Sequence, residues 1–229
     1  MKKIIIAIDG HAATGKSTQA KRLAKTLGYT YVDTGAMYRA VTLFGLNQDP
    51  KGGIEMNKLI QSLDQIRIYF EEVEGVQQTF LNGLNVTQSI RDPKVNEFVS
   101  QVAANESVRT FLSKQQQRMG EGKGVVMDGR DIGTVVFPEA ELKIFMTASP
   151  EIRAKRRYEE LHKKGIHVNY QEVLHNIIER DHIDSTRDAS PLAKAEDAIT
   201  LDNSAMSKDE QARLSLSWAR GVIESLATH

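Results

Sequence analysis

The chain has 229 residues, 40% hydrophobic and 26% charged, with 30 basic side chains set against 30 acidic ones. That length suits one α/β core carrying an inserted subdomain, and the apolar fraction is ample for a buried interior. A net charge of zero removes the positive field that would hold a nucleic-acid backbone, and the absence of cysteine excludes disulfides, thiolate metal sites and cysteine nucleophiles.

In chain order, Lys2 and Lys3 precede an apolar, β-branched run at residues 4–8 that stops at Asp9-Gly10. The run is too short for a secretory core or a membrane span. It reads as a strand covered on both faces, and the protein as cytoplasmic with no membrane contact. A helix is expected from about Lys16, with Ala20, Leu23, Ala24 and Leu27 on one face and Gly28 as its stop. Residues 29–32 read as a second strand, and a helix opens near Thr34 with Met37, Ala40, Val41 and Phe44 on one face.

From residue 66 to residue 86 the pattern alternates, with a hairpin signal at Asn82-Gly83. A small antiparallel sheet inserted between helices is therefore expected. Helical spacing returns at Val95, Phe98, Val99 and Val102, then at Val108 and Leu112. Residues 124–127 and 142–147 read as strands. Ser149-Pro150 caps a basic helix, and Lys163-Lys164-Gly165 separates it from another. Residues 198–201 read as a last strand, and Ser207 with Glu210 forms a capping box before a helix that buries Leu214, Trp218 and Val222. Strands alternating with helices imply a parallel sheet with helices on both faces.

Gly10-His11-Ala12-Ala13-Thr14-Gly15-Lys16-Ser17 fits G-x-x-x-x-G-K-[ST] in full, between a predicted strand and a predicted helix. Glycines let backbone N–H groups approach phosphates at a helix start. Lys16 adds positive charge near the β and γ phosphates, and Ser17 can ligate Mg²⁺ directly. These residues, with Thr18 beyond them, form the expected MgATP site. A regulatory GTPase would show an Asn-Lys-x-Asp box, which the sequence lacks.

The acceptor is sought in three further clusters: Asp33-Thr34-Gly35-Ala36-Met37-Tyr38-Arg39, Asp128-Gly129-Arg130-Asp131-Ile132-Gly133-Thr134, and the segment holding Arg180, Asp184 and Arg187. The first two follow predicted strands, where open α/β sheets bind ligands. With Ser100-Gln101-Val102-Ala103-Ala104 and an unbroken segment 128–138, the chain resembles bacterial cytidylate kinases, of the P-loop nucleoside monophosphate kinase family. The resemblance runs from about Ile4 into the C-terminal helix, inserted sheet included.

The resemblance implies an α/β P-loop kinase fold with a parallel sheet of about five strands, an inserted antiparallel β subdomain and a helical lid. The expected division is a core at 1–35, 123–150 and 196–229, acceptor-binding helices with the inserted sheet at 36–122, and a lid at 151–195. It implies a monomer that transfers the γ-phosphoryl group of ATP to CMP or dCMP. Asp131 would accept from cytosine N4 while Arg109 and Ser100 donate to the ring acceptors. Arg39, Arg130 and Arg187 would clamp the acceptor phosphate, and Arg180 and Asp184 would contact the sugar. Tyr38 would pack on or hydrogen-bond to the nucleotide. Thr34 is a nucleotide contact, a helix cap, or both, and Asp128 is either a carboxylate behind Mg²⁺ or a loop cap. Of the lid residues Arg153, Lys155, Arg156 and Arg157, one or two arginines would reach the transferring phosphate, Arg157 among them, while Lys155 reads as solvated. A P-loop kinase for another small acceptor, or a nucleotide sensor, remains the alternative. The histidines show no metal-ligand spacing.

Overall fold

The computed structural model describes residues 2–49 and 53–228, so residues 1, 50–52 and 229 of the ranges above lie outside the described residues. The chain runs β1 (Ile5–Gly10), α1 (Lys16–Leu27), β2 (Thr30–Asp33), α2 (Thr34–Gln48) and α3 (Met56–Gln61), then β3 (Ile68–Val73), β4 (Val76–Leu81) and β5 (Leu84–Asn85). It continues through α4 (Pro93–Ala104), α5 (Glu106–Gly120), β6 (Val125–Gly129), β7 (Leu142–Thr147), α6 (Pro150–Lys163), α7 (Tyr170–Thr186), β8 (Ile199–Asp202) and α8 (Lys208–Ala227). Two compact units result, residues 1–32 with 117–229, and residues 33–116.

The larger sheet has strand order β2-β6-β1-β7-β8. In it β1 runs parallel to β6 and β7, and β7 to β8. Five strands are the number expected. Ile4, Ile6 and Ile8 pack with Ala20, Leu23 and Ala24 of α1 and with Ala219 and Ile223 of α8. The alternate positions Ala7, Val125 and Met127 are buried as well, so the central strands are covered on both faces, which is why their sequences are apolar without alternation. Gly10 ends β1 at φ +145°, and a Cβ there would stand 2.0 Å from the carbonyl oxygen of Met146 on β7. No side chain fits between these strands.

Gly28 stops α1 in the left-handed region, as expected. The capping box of Ser207 and Glu210 forms at the start of α8. The expected buried stripe of α8 shifts by one position. Gln211, Ser215, Ala219 and Ile223 are the buried row, while Leu214, Trp218 and Val222 are only partly covered beside it. Ser215 and Ala219 are small where the middle of α8 meets the core, and Leu214, Trp218 and Val222 lie along the flank.

Helices α6 and α7 pair through a small cluster of Ala154, Val173 and Ile177, against which Leu161, Leu174 and Ala13 pack. Arg153 is 2% exposed. Its Nε donates to the Ala148 carbonyl at 2.9 Å and its Nη1 to the Ala12 carbonyl at 3.2 Å, while its Nη2 meets the Asp181 carboxylate at 2.6 Å. Arg153 is thus held by structural partners on three sides rather than presented as a lid residue for a phosphate.

In the second unit α2 packs on α4, and β3-β4-β5 form an antiparallel sheet. Both of its turns have two residues: Glu74-Gly75 at φ 52° and 76°, and Asn82-Gly83 at φ 50° and 84°. Positive φ at both central positions suits the right-handed twist of the strands. The Asn82-Gly83 turn was expected; Glu74-Gly75 is a second of the same kind.

Two stability outcomes follow. Ser207→Ala should lower unfolding free energy by about 1 kcal/mol and Ser207→Gly by a few tenths, read from Trp218 fluorescence in urea; equal midpoints for wild type and Ser207→Ala would remove the cap from the argument. Arg153→Met strands the Asp181 carboxylate and two carbonyls, and should cost about 3 kcal/mol in the same titration.

Candidate active site

The phosphate loop leaves β1 at Gly10 and enters α1 at Lys16. Within it Ala13 lies at φ 58° and Gly15 at φ 91°, and left-handed positions that alternate with others in this way turn peptide N–H groups toward one centre. Thr14 is buried, and its hydroxyl donates to the His11 carbonyl at 3.0 Å. Lys16 is 5% exposed. Its ammonium donates to the His11 carbonyl at 2.6 Å and lies 3.4 Å from Thr14 Oγ1, the position a phosphate oxygen would compete for. Burial, joined by the charge of Arg130, pulls this ammonium down to about 7 against the opposing effect of Asp128, Asp9 and Asp184.

The register pairs Ile8 with Asp128 and Asp9 with Gly129, so the segment after β6 emerges beside the phosphate loop. Ser17 Oγ donates to Asp128 Oδ2 at 2.9 Å, and the Tyr31 hydroxyl to Asp128 Oδ1 at 2.7 Å. Asp128 is therefore seated behind the hydroxyl of the phosphate loop. Tyr31 escapes sequence reading because it sits inside an apolar strand, with nothing to mark its hydroxyl as directed.

Beyond β6, Arg130 Nε donates to Asp184 Oδ2 at 2.8 Å, and Arg187 Nη1 donates to Asp184 Oδ1 at 3.4 Å. Arg187 also donates through Nε and Nη2 to the Ser190 carbonyl. Burial alone would raise the Asp184 carboxyl, but Arg130, and then Arg187 and Arg180, bring it below the ordinary carboxylate range. One carboxylate thus gathers two guanidinium groups. Arg180 lies on α7 four residues before Asp184. Asp131, 3% exposed, precedes a wide π-type turn at Ile132–Val136.

His11 Nδ1 lies 3.2 Å from Asp181 Oδ1, the carboxylate that also holds Arg153. Arg157 is on an exposed face of α6, paired with Glu160 at 3.0 Å. Arg156 grips Asn203 through its side-chain oxygen and its carbonyl, both at 2.8 Å. Asn203, 1% exposed, in turn donates to the Thr14 carbonyl at 2.7 Å. Asn203 follows a short strand without a motif, so only the fold reveals its tie to the phosphate loop.

The remaining expected residues belong to the second unit. Asp33, not Thr34, caps α2, its carboxylate accepting from the Ala36 N–H at 2.9 Å. Thr34 is the first helical residue and is buried. Arg39 folds back over Gly35, where a Cβ would be 3.0 Å from its Nη1. The Arg109 guanidinium lies 5.3 Å from the centre of the Tyr38 ring and donates to the Ala103 carbonyl at 2.9 Å. Ser100 is on α4, partly buried.

The sequence matches the family described as cytidylate kinase over residues 6–217. It is 57% identical over 215 residues to a cytidylate kinase of Parabacteroides distasonis, covering 92% of this chain and 94% of that one. It is 54% identical over 228 residues to a cytidylate kinase of Flavobacterium johnsoniae, covering 98% and 99%. Among solved structures, an uncharacterized protein from Eubacterium ventriosum shares the fold, with a TM-score of 0.51 over 96% of this chain and 99% of that chain at 12% identity. A phosphate loop with its lysine buried, a carboxylate behind its serine and paired arginines beyond the neighbouring strand thus accompany close sequence likeness along nearly the whole length, and the chain belongs to the cytidylate kinase family.

Proposed function

We propose that this protein transfers the γ-phosphoryl group of ATP to CMP or dCMP, giving ADP and CDP or dCDP. The observation that carries the reading is a phosphate loop after β1 and, after the adjacent β6, an Arg130 that joins Asp184 and Arg187 from α7 and its C-cap, all within one unit. A donor of phosphoryl groups and an acceptor phosphate need those two kinds of group side by side.

Little covalent chemistry falls to the protein, because a monophosphate oxygen is already a competent nucleophile. Lys16 and the loop N–H groups bind the donor's phosphates, and Arg130 and Arg187 orient the acceptor phosphate and neutralise charge on the moving group. Arg39 is assigned to the same phosphate, and Arg180 with Asp184 to the sugar. Among the described residues no cluster of three or more His, Asp or Glu is arranged to hold a metal ion. The Ser17 hydroxyl backed by Asp128 suits a Mg²⁺ that arrives with the triphosphate, and these are the residues assigned to it. Bound there, Mg²⁺ would screen the negative charge of the phosphates.

Asp131 is assigned to the cytosine amino group, and Ser100 and Arg109 to the ring acceptors. Uracil presents an acceptor where Asp131 needs a donor, and N3–H where Arg109 needs an acceptor, so UMP would leave buried polar groups unpaired. Tyr38, stacked on Arg109, supports that guanidinium, and Thr34 stands at the start of the same helix as a further nucleotide contact. Arg157 is the lid arginine assigned to the transferring phosphate on closure. No described helix is long and apolar enough to cross a membrane, and the protein is read as a cytoplasmic monomer.

A coupled ADP-release assay with CMP, dCMP, UMP, AMP, GMP and shikimate tests this directly. CMP and dCMP should turn over with kcat/KM at least about 100-fold above UMP, and Lys16→Ala should lose about 100- to 1000-fold in kcat. Equal rates with UMP would sink the base-recognition argument alone, whereas no turnover with any nucleotide would overturn the function.

Donor binding should also move a proton. At pH 8 a Lys16 ammonium with its value near 7 is mostly neutral, and phosphate raises it again, so the complex takes up a proton on forming. Calorimetry of MgADP binding in buffers of different ionisation enthalpy should show uptake close to one proton at pH 8, declining toward zero at pH 6 and absent in Lys16→Met. No uptake at pH 8 would mean that Lys16 is charged before the nucleotide arrives.

A further inference from the structure

Asp9 is buried at the end of β1, 6% exposed, and the chemistry above gives it no task. Its carboxylate is engaged by the neighbouring segment. Oδ1 accepts from the Ile132 N–H at 2.9 Å and Oδ2 from the Gly133 N–H at 2.7 Å. These are the first two amides after Asp131. They open the wide π-type turn at Ile132–Val136 and, as leading N–H groups, have no partner inside it.

The same peptide is held at its other end as well. The Asp131 carbonyl accepts from the Val135 N–H at 2.9 Å and from the Val136 N–H at 3.2 Å. The peptide that follows Asp131 is therefore held through its C=O by the turn and through its N–H by Asp9. Gly133 makes the approach possible, since a Cβ there would stand 3.3 Å from Asp9 Oδ2 and 3.1 Å from Lys143 Cδ. Resting on the assignment of Asp131 to the cytosine amino group, we infer that Asp9 is a positioning residue for base selection: its two oxygens hold the peptide that carries Asp131 at the distance where cytosine is read and uracil refused.

Only a carboxylate answers both donors. An amide at this place accepts with one oxygen and turns an NH₂ toward the other N–H, leaving two donors opposed. The arrangement stands against a real cost, because burial raises the Asp9 carboxyl to about 6, and Asp131 opposes its ionisation while the two N–H groups and Lys16 favour it. Above that pH the carboxylate form holds both amides. The competing possibility is that Asp9 acts through Lys16, whose ammonium it also faces electrostatically, and the two differ in which substrate suffers.

The test measures KM for CMP, UMP and MgATP at pH 8 in Asp9→Asn, Gly133→Ala and Asp131→Ala. Asp9→Asn should raise the CMP KM about tenfold and cut the preference for CMP over UMP by a similar factor, with the MgATP KM within about twofold of wild type. Gly133→Ala disturbs the same contact with Asp9 and Lys16 intact, and should give the same pattern at a few-fold size even if Asp9→Asn folds poorly. A rise in MgATP KM as large as that for CMP, or unchanged preference in both variants, overturns the proposal. Asp131→Ala separates the two layers. If it keeps the preference for CMP, the base-reading assignment fails and the positioning role falls with it. If Asp131→Ala loses the preference while Asp9→Asn and Gly133→Ala keep it, the positioning role alone is wrong.

Discussion

Charge taken out of water at the carboxyl ends of β1 and β6 is the constraint around which the rest of the first unit is arranged. Asp9, Lys16, Asp128 and Asp131 are all nearly inaccessible, and a buried charge is tolerable only where partners replace its hydration. Three of the four show how this is met. Lys16 sits on a loop carbonyl, Asp128 takes two hydroxyls, and Asp9 takes two peptide N–H groups. The parallel register of β1 and β6 makes this possible, because it brings two loops out at the same level with their polar groups interleaved. A slip of one residue would reverse the faces of the strand and leave these groups without partners.

The same logic extends outward. Arg153 fastens α6 to the phosphate loop at Ala12 and to α7 at Asp181, and Asn203 fastens the end of β8 to Thr14. The nucleotide loop is thereby tied to three elements distant in sequence. Its strained conformation, with Ala13 in the left-handed region, is held by neighbours and does not depend on glycine at every position.

Much of this was legible before any coordinates. Strands at β1, β6 and β7 announce themselves as continuous apolar runs, and the phosphate loop, the Asn82-Gly83 turn, the Ser149 and Ser207 caps and the stop at Gly28 each follow from local stereochemistry. What escaped reading is non-local. Tyr31, Asn203 and Asp9 belong to no short motif of their own, and their partners are 97, 189 and 123 residues away. Arg153 looked like a member of a basic lid face because sequence shows its charge and not its burial. Thr34 looked like a cap because threonine and aspartate both cap helices, and only the backbone shows that Asp33 does so. Apolar size in α8 points to Leu214, Trp218 and Val222, while the buried row there includes the small Ser215 and Ala219 and the polar Gln211.

The two-residue turns of the inserted sheet bear on how the chain acquires its fold. Strands β3, β4 and β5 pair only with their immediate neighbours through Glu74-Gly75 and Asn82-Gly83, so each hairpin closes over a handful of residues, an event of roughly 1–10 μs. The parallel sheet cannot start that way, for β1 must find β6 across the whole intervening chain, pairing Ile5 with Val125, and such long-range closure is slow. The insert lies inside that loop. A segment that organises itself early shortens the effective length of disordered chain to be closed and lowers its entropy before the central strands meet. The small sheet would then act as a folding aid, compacting the span that separates the two halves of the nucleotide-binding unit.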